Sequence, residues 1–175
     1  MLYVARHGQT TWNAQNRICG ITDVSLTEKG VEQARLLASV VESKNIDVII
    51  SSPLSRAVET SRIVSRICGV PVEIDQRLIE QDYGIYEGVD REDTEFLNNK
   101  RNFAYRYPKS ESMMQVAYRI YGFLDDIKNR YKEKNILIIS HGGVCRIINT
   151  YFRDMTNDEF FHYRLENGSV EEYML

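Results

Sequence analysis

Two of the three histidines share one setting. Each follows a short apolar run and precedes glycine, in Val4-Ala5-Arg6-His7-Gly8 and in Ile138-Ile139-Ser140-His141-Gly142. Arg56 follows a third run by way of Ser51-Ser52-Pro53, and Glu80 follows a fourth. If the runs are parallel strands, their carboxyl ends meet at one edge, where ligands of such sheets bind. The chemistry that fits this set is attack on phosphorus. A neutral imidazole is a nucleophile, and a phosphohistidine divides one hard transfer into two easier ones. The guanidiniums of Arg6 and Arg56 would hold a phosphate dianion and stabilise its transition state. Their charges would also keep His7 neutral. Glu80 is the carboxyl placed to protonate a leaving alkoxide, and His141 would donate to a phosphoryl oxygen. Gly8 and Gly142 would let the backbone approach that anion. Ser51, Ser52 and the helix after Pro53 would add neutral donors.

The elements that must position these groups are legible in periodicity. Leu2–Ala5, Ile46–Ile50 and Ile136–Ser140 read as buried strands, Val70–Ile74 as a further strand, and Gly168–Leu175 as a final one. Thr27 can cap a helix to about Lys44, with Val31, Ala34, Leu37, Ala38 and Val41 on one face; Gly30 weakens its first turn. A second helix runs from Leu54 to Cys68 and stops at Gly69 and Pro71. A third opens near Ser110 and runs to Tyr131, and a fourth follows His141 to about Phe152. Residues 9–26 are polar, without a strong period. Residues 81–110, with Gly84, Gly88, aromatics and many charges, read as an insertion lying over a site. Alternating strands and helices predict an α/β three-layer sandwich with a largely parallel central sheet, a single domain over 1–175 carrying that small lid.

Bulk properties exclude several classes. The chain has 175 residues, 43% hydrophobic and 27% charged, with net charge −3 and no basic tail, so nucleic-acid binding has no electrostatic support. No apolar run approaches a membrane span. Cys19, Cys68 and Cys145 are odd in number and widely spaced, which fits reduced thiols in a cytoplasmic protein. No HxH or HExxH pair occurs, so neither a metal nor another cofactor is expected. Nothing in the sequence sets the oligomeric state.

Taken together, Arg6-His7-Gly8-Gln9-Thr10 with Trp12-Asn13 and Arg17, Ser51-Ser52-Pro53-Leu54 with Arg56-Ala57, and Glu80 with Tyr83-Gly84 and Glu87-Gly88 resemble the histidine phosphatase superfamily, in its phosphoglycerate-mutase-like branch. Ser140-His141-Gly142-Gly143 and Asn167-Gly168-Ser169-Val170 extend the likeness over nearly the whole chain, weakest from 89 to 107. The resemblance implies His7 as the phosphorylated nucleophile and Glu80 as proton donor. It implies Arg6, Arg56 and His141 as the phosphate pocket, with Asn13 and the Gly142 amide as further contacts. The family often shows Pro-Gly-Gly-Glu-Ser where this chain has Pro108-Lys109-Ser110-Glu111-Ser112, and a tryptophan where it has Tyr86. Both departures fall in the lid and bear on substrate identity.

The expected function is a metal-independent phosphomonoesterase acting on a small phosphorylated metabolite. The alternative is a bisphosphoglycerate-dependent mutase, which in this family is a longer chain. A catalytically dead sensor would lack a core group, and none is missing. Asp82 and Glu87 are rival carboxylates to Glu80, and Asn13 is either a phosphate contact or a turn cap. Arg91, Lys100, Arg101, Arg106 and Lys109 either recognise a second anionic group or form a solvated face. His162 lacks any such context and reads as structural.

Overall fold

A computed structural model describes residues 1–175. The chain runs β1 (Leu2–Arg6), α1 (Thr11–Ala14), α2 (Glu28–Glu42), β2 (Val48–Ser51), α3 (Ser55–Cys68) and β3 (Val72–Ile74). It continues with α4 (Thr94–Lys100), α5 (Met113–Arg130), β4 (Ile136–Ser140), α6 (Gly142–Phe152), α7 (Asn157–His162) and β5 (Val170–Tyr173). The strands form one sheet in the order β3-β2-β4-β1-β5. All neighbours are parallel except β5, which lies antiparallel on β1 with Val4 opposite Glu171.

Side-chain alternation along the strands builds two cores. Tyr3, Ala5, Ile49, Leu137 and Ile139 face α2 and α3, where Leu37, Ala38, Val41, Ala57 and Val64 cover them. Leu2, Val4, Ile50, Ile136 and Ile138 face α5 and α6, against Ile120, Phe123, Leu124, Val144 and Ile148. This is the expected three-layer sandwich. Phe123 has no exposed surface, and truncation to alanine would cost roughly 3–5 kcal/mol.

Helix ends follow side-chain chemistry. Thr27 accepts from the Gly30 amide to start α2, and Ser112 with Gln115 forms a reciprocal capping box on α5. Gly69, at φ 70°, ends α3 in the left-handed conformation. Gly30, a weakness for α2 taken alone, is required by packing. A Cβ there would lie 2.1 Å from the Gln9 carbonyl oxygen, and one on Gly8 would lie 2.2 Å from the Gly30 carbonyl oxygen. Gly8 is thus required by loop-to-helix contact.

The polar stretch 9–26 and the segment 81–110 are paired. Ile18 donates its amide to the Val89 carbonyl at 2.8 Å, Gly88 to Ile18 at 2.9 Å and Arg91 to Asn16 at 2.9 Å. A third small core of Ile18, Tyr86, Phe96 and Tyr107 lies between them. Tyr86 also donates to Glu95 at 2.8 Å and accepts from Asn99 at 3.2 Å, fastening α4. Lys109, at φ 58°, occupies a left-handed position where the resembling family carries glycine. Two further features have no periodic signal in the sequence: the one-turn α1, and α7, which buries Phe160 and Phe161. No helix is long and apolar enough to cross a membrane, and the three cysteines are unpaired.

Candidate active site

At the carboxyl ends of β1 and β4 lies a cavity of about 240 Å³, lined among others by Arg6, His7, Asn13, Glu80 and Gly142. Its other wall comes from the 16–18 loop, the 81–110 segment and the stretch before β5. Five of the seven expected residues therefore line one space.

His7 is buried, with Nδ1 2.6 Å from the Gly8 carbonyl oxygen. A carbonyl only accepts, so Nδ1 carries the proton and Nε2 carries the lone pair. Burial, then the charges of Arg56 and Arg6, hold its pKa well below the ordinary imidazole value. Asn167 fixes this corner by donating to the His7 carbonyl at 2.9 Å and to Asn13 Oδ1 at 3.3 Å.

Arg6 is held by one bond, from a terminal nitrogen to the Leu165 carbonyl at 2.9 Å. Its Nε is buried without a partner, a costly state for a donor unless a ligand completes it. The guanidinium lies beside Gly142, where an added Cβ would stand in ordinary contact with it at 3.5 Å. Asn13 accepts from the Thr10 amide at 3.1 Å within a capping box and also lines the cavity. It is both a turn cap and a cavity residue.

Glu80 is buried. Its carboxyl accepts from the Gln81 amide at 2.9 Å and from the Gly143 amide in the first turn of α6, also at 2.9 Å. Gly143 is needed for this approach, since a Cβ would sit 2.6 Å from Oε1. The rival carboxylates are committed elsewhere. Asp82 accepts from the Gly84 amide within a turn. Glu87 accepts from the amides of Gly20, Ile21, Thr22 and Tyr83.

Arg56 and His141 stand beside His7 but do not line the cavity. Both are fully or almost fully buried, and the His141 ring lies edge-on to His7 with centroids 5.0 Å apart. Arg56 donates from Nε to His141 Nδ1 at 3.2 Å, and from its terminal nitrogens to the carbonyls of Gly20 and Thr22 at 2.6 and 2.9 Å. Because His141 Nδ1 accepts, its Nε2 bears the proton and meets Ser52 Oγ at 2.6 Å. Burial and the Arg56 charge lower the His141 pKa well below its ordinary value. Donation from His141 to a ligand would exchange the Ser52 contact, while Arg56 retains two of its five N–H groups. Two amides at the start of α3 are engaged: Leu54 donates to Ser52 Oγ and Ser55 to Asp23. Ser51 donates to the Ser52 carbonyl and plays no part at the cavity.

Of the basic residues in the lid, Arg91 and Lys100 reach the cavity. Arg101 pairs with Asp158 at the surface, and Arg106 and Lys109 are exposed. Sequence reasoning missed Arg146 and Arg164, and it named Gly143 and Asn167 only within the family resemblance, without a role. Arg146 had a usable signal, one helical turn after Gly142 on the same face. Arg164 had none, because nothing periodic marks its segment.

The family model described as histidine phosphatase superfamily (branch 1) matches residues 2–174. A protein of Hydrogenobacter thermophilus whose provisional name is phosphoserine phosphatase 2 is 33% identical, over 98% of this chain and 87% of its own. One from Photorhabdus laumondii, provisionally named phosphoglycerate mutase GpmB, is 36% identical over 81% of this chain and 69% of its own. The crystal structure of an α-ribazole phosphatase from Shigella flexneri superposes with a TM-score of 0.83 at 27% identity, covering 97% of this chain and 87% of that one.

Proposed function

Because the chain belongs to the histidine phosphatase superfamily (branch 1), we propose that it hydrolyses phosphomonoesters of small metabolites through a phosphohistidine at His7. The observation that carries this reading is the His7 tautomer: Nδ1–H is bound to the Gly8 carbonyl, leaving a neutral Nε2 nucleophile in a cavity shared with Arg6 and Glu80.

In the first step the Nε2 lone pair forms a bond to phosphorus as the bond to the ester oxygen breaks. Glu80 passes a proton to that oxygen, and the alcohol leaves neutral. The unpartnered Arg6 Nε donates to a phosphoryl oxygen, and the buried charge of Arg56 stabilises the transition state. In the second step Glu80 takes a proton from water as the water oxygen bonds to phosphorus. The N–P bond breaks, its electrons return to His7, and inorganic phosphate departs. No metal is needed in either step. Unpaired thiols and a chain without a membrane-crossing helix suit the cytoplasm.

The mutase alternative uses the same residues and returns the phosphoryl group to another hydroxyl of a retained substrate. The relative named as a mutase extends further beyond the matched region than the one named as a phosphatase, which supports hydrolysis here. The deciding experiment measures phosphate release across a metabolite panel beside isomerisation of 3-phosphoglycerate primed with 2,3-bisphosphoglycerate. Release of phosphate with little isomerisation is expected; strong isomerisation with little release would overturn hydrolysis.

A further inference from the structure

Glu80 lies in a stretch that no regular element holds. Between β3 and the lid only Gln76–Leu78 is helical, as a single 3-10 turn, and residues 79–83 belong to neither strand nor helix. The carbonyls of this stretch are met from outside it. Ser140, the last residue of β4, donates its hydroxyl to the Leu78 carbonyl at 2.7 Å. Arg119, on α5, donates from one terminal nitrogen to the Arg77 carbonyl and from the other to the Glu80 carbonyl at 3.3 Å. The Glu111 amide donates to the Asp82 carbonyl at 3.0 Å, and the Glu111 carbonyl accepts from Gln81 Nε2 at 2.9 Å.

Arg119 is itself fixed. Glu111, just past the far end of the lid, accepts from it with both carboxylate oxygens, from Nε at 2.8 Å and from Nη2 at 2.9 Å. The two side chains are 16% and 21% exposed, less than those of any other ion pair in the chain. Solvent therefore screens this pair less than the others. The rigid fork of a guanidinium can serve a carboxylate and two carbonyls at once, a geometry that a compact ammonium matches poorly. Neither residue lines the cavity that holds His7, so neither touches a substrate there. The Glu80 carboxyl is aimed by the amides of Gln81 and Gly143, and that aim holds only while the Glu80 main chain stays in place.

We propose that Arg119 and Glu111 are positioning residues for proton transfer: their bidentate pair ties both ends of the lid to α5 and sets the backbone of Glu80, so that its carboxyl meets the leaving oxygen. The proposal rests on the reading of Glu80 as the proton donor.

The test reads kcat/KM, which reports the first phosphoryl transfer, for glycerol 3-phosphate and p-nitrophenyl phosphate. The alkoxide leaving from the first needs a proton, and the nitrophenolate leaving from the second does not. Arg119→Met is expected to lose about 10–100-fold on glycerol 3-phosphate and about threefold or less on p-nitrophenyl phosphate. Inorganic phosphate, a ligand for Arg6 and Arg56, should inhibit the variant and the wild type alike. Glu111→Gln keeps the backbone bonds at 111 and weakens only the grip on Arg119, so it should show the same split at smaller size. The ratio of the two substrates is internal to each preparation, so an unfolded fraction cancels. In a Glu80→Gln background, Arg119→Met should add little further loss on glycerol 3-phosphate, because both changes act through one proton. Equal losses on the two substrates, weakened inhibition by phosphate, or a fully additive loss in that background would overturn the positioning role. Glu80→Gln alone separates the two claims. A loss no larger on glycerol 3-phosphate than on p-nitrophenyl phosphate would overturn the proton donor and the proposal with it. A split in Glu80→Gln with none in Arg119→Met would overturn the proposal alone.

Discussion

Gly143→Ala separates the chemistry of Glu80 from the stability of the fold. The added Cβ would lie 2.6 Å from Glu80 Oε1 and 3.2 Å from its carboxyl carbon. Ordinary contact begins near 3.4 Å, so the carboxyl must retreat by about 0.8 Å. A general acid contributes about 10²–10⁴ in rate, and a misplacement near 1 Å forfeits on the order of 10². For alkyl phosphates, whose leaving oxygen needs the proton, kcat/KM should therefore fall about 100-fold, roughly 2.7 kcal/mol. p-Nitrophenyl phosphate releases a stabilised phenolate without a proton, and its loss should stay within about threefold. Gly143 is helical, so alanine adds up to about 1 kcal/mol of helix propensity, and Tm should hold or rise. The assay is steady-state kinetics on both substrates beside thermal unfolding. Equal losses on the two, or no loss on either, would refute Glu80 as the proton donor.

Three further outcomes follow from the same geometry. Glu87→Ala removes the carboxylate that accepts from four backbone amides around the loop whose carbonyls hold Arg56; a loss of about 3 kcal/mol in urea unfolding, with reduced kcat, is expected, and an unchanged midpoint would contradict the clamp. His7 and His141 have pKa values depressed below 6.5 in the fold, so the unfolded chain binds more protons on acidification. Their stabilisation is whole above about pH 6.5 and is lost as pH falls through the folded values, by up to about 1.4 kcal/mol per pH unit for each histidine; urea titrations from pH 7 to 5 check this, and a flat midpoint would oppose it. Lys109→Gly relieves a left-handed side-chain position and should stabilise the chain by about 0.5–1 kcal/mol, which thermal unfolding measures directly.

The sequence made the centre of this site legible because strand-end histidines and an arginine three residues past Pro53 need only the parallel-sheet rule to converge. His7, Arg6 and Glu80 lie where that rule puts them. It could not show that Arg56 and His141 bond to each other, since two residues 85 apart carry no mutual signal. Gly8 and Gly30 illustrate the same limit: each reads locally as a helix or loop feature, whereas a tertiary contact of one with the other's loop requires both. The pairing of 16–18 with 88–91 joins two aperiodic segments, and neither alone predicts it. Arg164 entered the cavity by the docking of a stretch whose only periodic neighbour is the short α7.

The claim on which the rest depends is that His7 Nε2 accepts the phosphoryl group. Rapid mixing with a ³²P-labelled phosphomonoester, quenching in alkali and peptide mapping tests it most directly. The account predicts an acid-labile, alkali-stable phosphoenzyme that maps to His7, forms before phosphate release and is absent from His7→Ala. Label on another residue, or a phosphoenzyme that persists in His7→Ala, would contradict it.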